Sequence, residues 1–313
     1  MMDAPDFRPL GIGEILDRAI ALYVRRFALF FLALALISIP VVLVQVVADP
    51  GGATSFSDIG EILAKGNDPD AMRVLRQRTQ AHERALAGPA LLAFLAAPLE
   101  MIVASVIAFA SFLGAAPTLR GAFRAAFARF LGALAVSLGY VVIACGCFIA
   151  AFVVFIPVSL GVGLLFTGSK LAGSIVGTVA GLAFVATMLF LISVVTLAWR
   201  IALVAVATED GSPFRAIGCG LRRTFARALL LRSFLVGLTA FVVEFAGIVV
   251  GLSAGAVIGA LTHVPDLAVV ISTLAGIILT GLVTTFIVRY TLDVRIRREG
   301  FAGPLVTPAG SAA

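Results

Sequence analysis

Six apolar runs, each long enough to cross the ~30 Å hydrocarbon core of a bilayer, dominate this chain. They lie at about 27–47, 88–114, 131–156, 172–199, 233–261 and 267–291. A soluble core could not absorb them: 61% of residues are hydrophobic and 13% charged, against roughly 45–50% and about 25% in soluble domains. Backbone polar groups in lipid must bond within the chain, so runs of this length fold as helices. The fold class is therefore all-α: a polytopic integral membrane protein with six transmembrane helices. One transmembrane domain is expected over 1–301, with a flexible tail at 302–313. Pro157 follows the third run, and the apolar stretch beyond it to Phe166 is read as an extension bent at the proline.

Charge orients the spans. Of the 23 Lys and Arg residues, 17 fall on one side: at the N-terminus, around 120–129, around 200–232, and after the last span. The other six are Lys65, Arg73, Arg76, Arg78, Arg84 and Lys170, five of them in a long connection at 48–87 that also carries six acids. The positive-inside rule puts both termini in the cytoplasm, which an even number of spans permits. The net charge of +6 thus reads as an address in the cytoplasmic (inner) membrane, with anionic headgroups as partners, and not as a nucleic-acid surface. In the outer connection, Asp68-Pro69 has the form of an N-cap with proline at the first helical position, opening a helix that runs on into the second span. The acidic residues ahead of the first run, Asp3, Asp6, Glu14 and Asp17, are unlike the basic start of a cleavable signal peptide.

Three cytoplasmic segments share one design: Pro9–Phe27, Pro117–Phe130 and Pro213–Leu230. Each begins near a proline, carries arginines, and spaces apolar residues at helical intervals: Leu16, Ile20, Tyr23; Phe123, Phe127, Phe130; Ile217, Leu221, Phe225. That pattern predicts an amphipathic helix in the membrane interface before each odd-numbered span. The architecture is then three transmembrane hairpins, each preceded by a cytoplasmic interfacial helix. The stretches GEILDRAIALYVRRF (Gly13–Phe27) and DVRIRREGF (Asp293–Phe301) resemble a family of bacterial and archaeal membrane proteins related to the membrane domain of glycerophosphoryl diester phosphodiesterases. Members with that activity carry a separate soluble barrel with metal-binding carboxylates. The twelve residues after Phe301 are small, Gly- and Pro-containing, so the resemblance implies a membrane module without the catalytic domain.

Polar residues within the runs are few. Glu100 and Glu244 lie about twelve and eleven residues into the second and fifth spans, near the midplane at ~1.5 Å per residue. Ionised groups there are costly and face the bundle interior. They fit either protonatable sites of a transport pathway or carboxyl groups bonded to Ser, Thr or a carbonyl freed by Pro98. Gly173, Gly177 and Gly181, and Gly247, Gly251, Gly255 and Gly259, recur every four residues, the pattern of a glycine zipper. Antiparallel alignment would set Gly173 opposite Gly259, Gly177 opposite Gly255 and Gly181 opposite Gly251. Glu14 and Asp17 are expected to pair with Arg295, Arg297 and Arg298, tying the N-terminal helix to the tail. Cys145, Cys147 and Cys219 suggest neither disulfide nor metal site, and His82 and His263 stand apart. No P-loop or HExxH occurs, so catalytic residues, metal and cofactor are all none.

These features favour a non-enzymatic integral membrane module that anchors, scaffolds or assists a membrane-protein partner or a second copy of itself. Translocation through Glu100 and Glu244 is the alternative, and an intramembrane lipid-modifying enzyme a less favoured one. Single cysteines placed in 48–87 should be labelled from outside, and those near 120, 222 and 300 only from inside. The loop and the tail reacting on the same side would overturn six spans.

Overall fold

The computed structural model describes residues 9–48, 69–165, 170–209, 211–262 and 266–299. Among them there are helices and no strand: α1 (Ile12–Arg25), α2 (Phe27–Ala48), α3 (Pro69–Phe112), α4 (Leu119–Leu165), α5 (Lys170–Thr208), α6 (Pro213–Thr224), α7 (Leu230–Thr262) and α8 (Asp266–Glu299). Six stretches are long and apolar enough to cross a membrane: Phe27–Ala48, Glu83–Phe112, Leu119–Gly161, Ser174–Thr208, Arg227–Gly255 and Val269–Arg298. The chain is an all-α, multi-pass membrane protein. As expected, α3 begins at Pro69 and continues unbroken into the second span; Asp68 and the rest of 49–68 lie outside the described residues. Helix α4 passes through Pro157 and ends at Leu165.

Local signals end the short helices. The Glu14 carboxylate accepts the Gly11 N–H at 2.9 Å, satisfying a donor that the first turn of α1 cannot. Arg25 sits in the last turn, where the helix dipole favours a cation. The chain then bends at Arg26 (φ −111°, ψ 17°) before α2 begins. In α6, the Ser212 hydroxyl accepts from the Arg215 N–H at 3.3 Å, with Pro213 at the start of the helix. The middle segment differs from its two counterparts, because α4 is continuous from Leu119 through the third span. Between α3 and α4 the chain reverses at Gly114, whose φ of 82° is readily adopted only by glycine. Its N–H bonds Ser111 O at 3.1 Å while Ala115 N–H bonds Ala110 O at 2.9 Å, a Schellman ending.

By contacts the chain forms two compact units, Met1–Phe130 with Val242–Ala313, and Leu131–Phe241, where the sequence reading treats 1–301 as one domain. In the first unit α1, α2, α3 and α8 pack together around a core that includes Phe30, Leu34, Ile102, Ile107, Phe286 and Tyr290. Tyr23 of α1 enters the space left by Gly281 of α8, where an added Cβ would lie 2.7 Å from the ring. Its ring meets Phe27 edge-on at 5.7 Å and Phe30 at 5.4 Å. In the second unit, α6 lies on α5 at Gly220, where a Cβ would strike Ala198 O and come within 3.0 Å of Ala202 Cβ. Ile217 of α6 fills the space over Gly139 of α4, 2.7 Å from an added Cβ.

Gly247 and Gly251, in the second half of α7, make their close approach to α8. A Cβ at Gly247 would collide with Leu279, and one at Gly251 would lie 3.0 Å from Ala275 Cβ and 3.1 Å from Ser272 Cα. Both neighbours belong to α8. Gly177 and Gly181 are exposed with nothing within 4 Å of an added Cβ. Gly255 is buried; the surroundings of Gly173 and Gly259 lie outside the described residues. Helix α7 does meet α5, but through its first half: a Cβ at Gly237 would run into Ser193 O. The physical reason is that a helix more than 30 residues long can change partners along its length, so glycine spacing shows a close approach without naming the neighbour. Replacing Gly251 with Leu should overpack this contact and cost at least ~1–3 kcal/mol, whereas Gly181→Leu should change stability by less than about 0.5 kcal/mol. Thermal unfolding in detergent compares them; equal losses would contradict the assignment.

Candidate functional site

The polar groups of the first unit concentrate where the chain enters α1. Asp293, 1% exposed, accepts the Leu10 N–H at 2.7 Å through Oδ1. Its Oδ2 accepts from Arg297 Nε at 2.8 Å, and Arg297 Nη2 donates to Leu10 O at 2.8 Å. One helical turn of α8 thus holds both backbone polar groups of a residue some 280 positions earlier. The Leu10 side chain is buried at 1% exposure, so the clamp has an apolar plug. One turn before Asp293, the Arg289 guanidinium lies 5.4 Å from the centroid of the Phe112 ring, a cation–π contact. Tyr23 nearby in sequence is buried, and that burial pushes its phenol up to about 12, leaving it neutral at physiological pH.

The tie between the N-terminal segment and the last helix was expected from Glu14 and Asp17 to Arg295, Arg297 and Arg298. Arg297 takes part, but its carboxylate partner is Asp293, and what it reaches across the chain is the Leu10 backbone. Glu14 caps its own helix, and Asp17 is exposed. Asp293 escaped the sequence reading although a signal was present. It stands four residues before Arg297 at the end of an apolar run, the spacing at which side chains on one helix face meet.

Within the membrane-spanning part, Ser38 of α2 donates to Glu100 Oε1 of α3 at 2.6 Å. Glu100 is followed by an unbroken buried stretch from Met101 to Ala110, so the carboxyl group sits at the edge of the first unit's core. Three threonines there are internally bonded, Thr284 Oγ1 to Met101 Sδ at 3.2 Å, and Thr285 and Thr291 to the carbonyls one turn back, each at 2.8 Å, while the buried Ser105 and Ser111 hydroxyls have no protein partner among the described residues. Glu244 is half-buried on α7, three residues before Gly247.

In the second unit, Arg223 of α6, 4% exposed, binds Glu209 at 2.7 Å. Tyr140 donates to Ile217 O at 3.4 Å and Trp199 to Ser137 Oγ at 3.1 Å. A groove of about 510 Å³ runs between α4 and α5, lined by Cys147, Ala151, Phe155, Ala183, Phe184, Thr187 and their apolar neighbours. Phe184 closes on Phe155 with ring centroids 4.3 Å apart. Neither Glu100 nor Glu244 lines this groove. Among the described residues no three His, Cys, Asp or Glu side chains come together in a way that could hold a metal.

Comparison with family models, with curated proteins and with solved structures finds no match to this chain. Replacing Asp293 with Ala would leave the Leu10 N–H and the Arg297 guanidinium without their acceptor. Each buried unsatisfied group costs about 1–3 kcal/mol, so the variant should unfold at lower temperature and be cleaved by trypsin within α1 sooner than the native chain. Unchanged cleavage at Arg18 and Arg25 would show that the clamp does not hold the segment.

Proposed function

We propose that this chain is a non-enzymatic module of the cytoplasmic membrane that anchors or assembles partner proteins. It is built from three transmembrane hairpins, each led by an interfacial amphipathic segment, with both termini in the cytoplasm. The observation that carries this reading is that the two carboxyl groups at the first unit's core, Glu100 and Asp293, each have a protein partner. Glu100 is bonded to Ser38 beside a packed core, and the Asp293 carboxylate is occupied by Leu10 and Arg297. A transport pathway needs polar groups facing a water-filled or substrate-shaped space, and the groove between α4 and α5 is apolar. Such an interior suits a rigid support. The likeness to the membrane part of the phosphodiesterases, resting on Gly13–Phe27 and Asp293–Phe301, belongs to the same proposal.

The test separates support from transport. Purified protein in vesicles loaded with a pH-sensitive dye should give no proton leak above protein-free vesicles, and Glu100→Gln should not alter it. Chemical cross-linking in native membranes should then yield a defined adduct with a membrane protein or a second copy. Proton flux that disappears in Glu100→Gln would replace this reading with translocation.

A further inference from the structure

Each cytoplasmic segment has two apolar faces, and only one is used by the protein. In α1, Ile15, Ala19 and Tyr23 are buried at 0%, 0% and 5% exposure, while Ile20 and Val24 are 41% and 67% exposed. In the first turns of α4, Ala122 and Ala126 are buried, while Phe127 and Leu131 are 62% and 78% exposed. In the third segment Ala216 and Gly220 are buried, Leu221 is half-buried, and Phe225 is 46% exposed. The offset is the same in all three: the outward apolar pair stands five residues after the buried pair. Five residues at 3.6 per turn place it about 140° round the helix from the buried face.

This divides the expected single apolar stripe in two. Tyr23 belongs to the face packed on protein, and Ile20 to the face left open. The remaining arc carries exposed arginines in the first and third segments, Arg25, and Arg215 and Arg222; in the second, the exposed Arg124 borders the outward pair and Arg120 lies on the same side as that pair. A helix bordered by water alone would have no use for an outward apolar pair. A helix at the headgroup level has three surroundings: the protein, the acyl–headgroup boundary, and the phosphates above it. In the first and third segments the faces match these in turn, and in the second the arginines stand beside the outward pair; guanidinium groups bind phosphate oxygens in a bidentate manner.

We infer that the three segments are one lipid-binding surface used three times, each taking anionic phospholipid of the cytoplasmic leaflet. The outward apolar pair enters the acyl–headgroup boundary, and the arginines take the headgroup phosphates. The occupant is a lipid and not a protein because the repeated feature couples exposed apolar residues to positive charge, the two complements of an anionic headgroup layer. The leaflet assignment rests on the topology proposed above, whereas the lipid preference does not.

The full chain should be reconstituted in vesicles of equal phosphatidylcholine and phosphatidylglycerol, extracted in mild detergent, and its retained lipid measured by mass spectrometry. The native chain should retain the anionic lipid in excess. The combined Arg25→Gln, Arg124→Gln and Arg215→Gln variant should lose that excess by about fivefold per arginine at low salt, with an unchanged unfolding temperature showing that it is folded. A photo-reactive residue at Val24, Leu131 or Phe225 should capture lipid. Equal retention of both lipids, a preference the variant keeps, or capture of protein at these positions would overturn the inference. Labelling of cysteines at 124 and 215 from outside would overturn the leaflet assignment, with the binding surface still judged by the retention measurement.

Discussion

A carboxylate removed from water must find compensating donors, and in this protein that requirement is met at Asp293. Its desolvation is offset only if donors fill its lone pairs, and here the Leu10 N–H and the Arg297 guanidinium do so. Buried ion pairs often contribute little net stability but can impose a unique arrangement. In this chain the arrangement links the two ends of the described sequence. With Leu10 fixed, α1 starts at a defined point, its Ile15–Ala19–Tyr23 face meets α8, and Tyr23 lands on Gly281. Arg26 then turns the chain into α2, whose Ser38 reaches Glu100 on α3. The order of contacts in the first unit follows from that one buried charge.

The second unit is organised by close backbone approach. A lipid-embedded helix gains little from the hydrophobic effect against its neighbour, because lipid tails are equally apolar, so contact depends on fit and on short polar links. Gly220 and Gly237 bring α6 and α7 against α5 at backbone distance, and Gly139 receives Ile217. In α1 the large side chain lies on the short helix and the gap on the span, whereas α6 does both, presenting Gly220 to α5 and setting Ile217 over Gly139 of α4.

Where the units leave apolar surface uncovered, lipid is the natural complement. The most hydrophobic windows of α4 and α5 hold no buried residue, against 28% and 44% for α2 and α3. In water such a surface would force association, but a bilayer covers it without one. The outward pairs on the short arginine-bearing segments differ, because arginines accompany them and plain hydrocarbon does not explain a charge. That distinction makes those segments the informative lipid contact and leaves the groove between α4 and α5 unassigned.

How much of this was legible in the residues depends on whether the signal is local. Six spans, the start of the second span's helix at Pro69 and the short helices before the first and fifth spans follow from run length, proline placement and caps, and each matches the described helices. Glu100 could be marked as needing a partner because any carboxyl group at that depth needs one, but Ser38 lies 62 residues away and periodicity carries no such information. The glycine series announced close approach and left the neighbour open, and α7 takes two different ones. The apolar spacing of the short arginine-bearing segments was visible, yet which half packs on protein depends on how α1 and α6 are rotated against their spans. By itself, then, the sequence determined how many stretches are long and apolar enough to cross the membrane, since that follows from hydrogen bonding and hydrophobicity along the chain. Only the tertiary structure decided which groups meet, because the energy of a buried pair depends on distances between residues far apart in the chain.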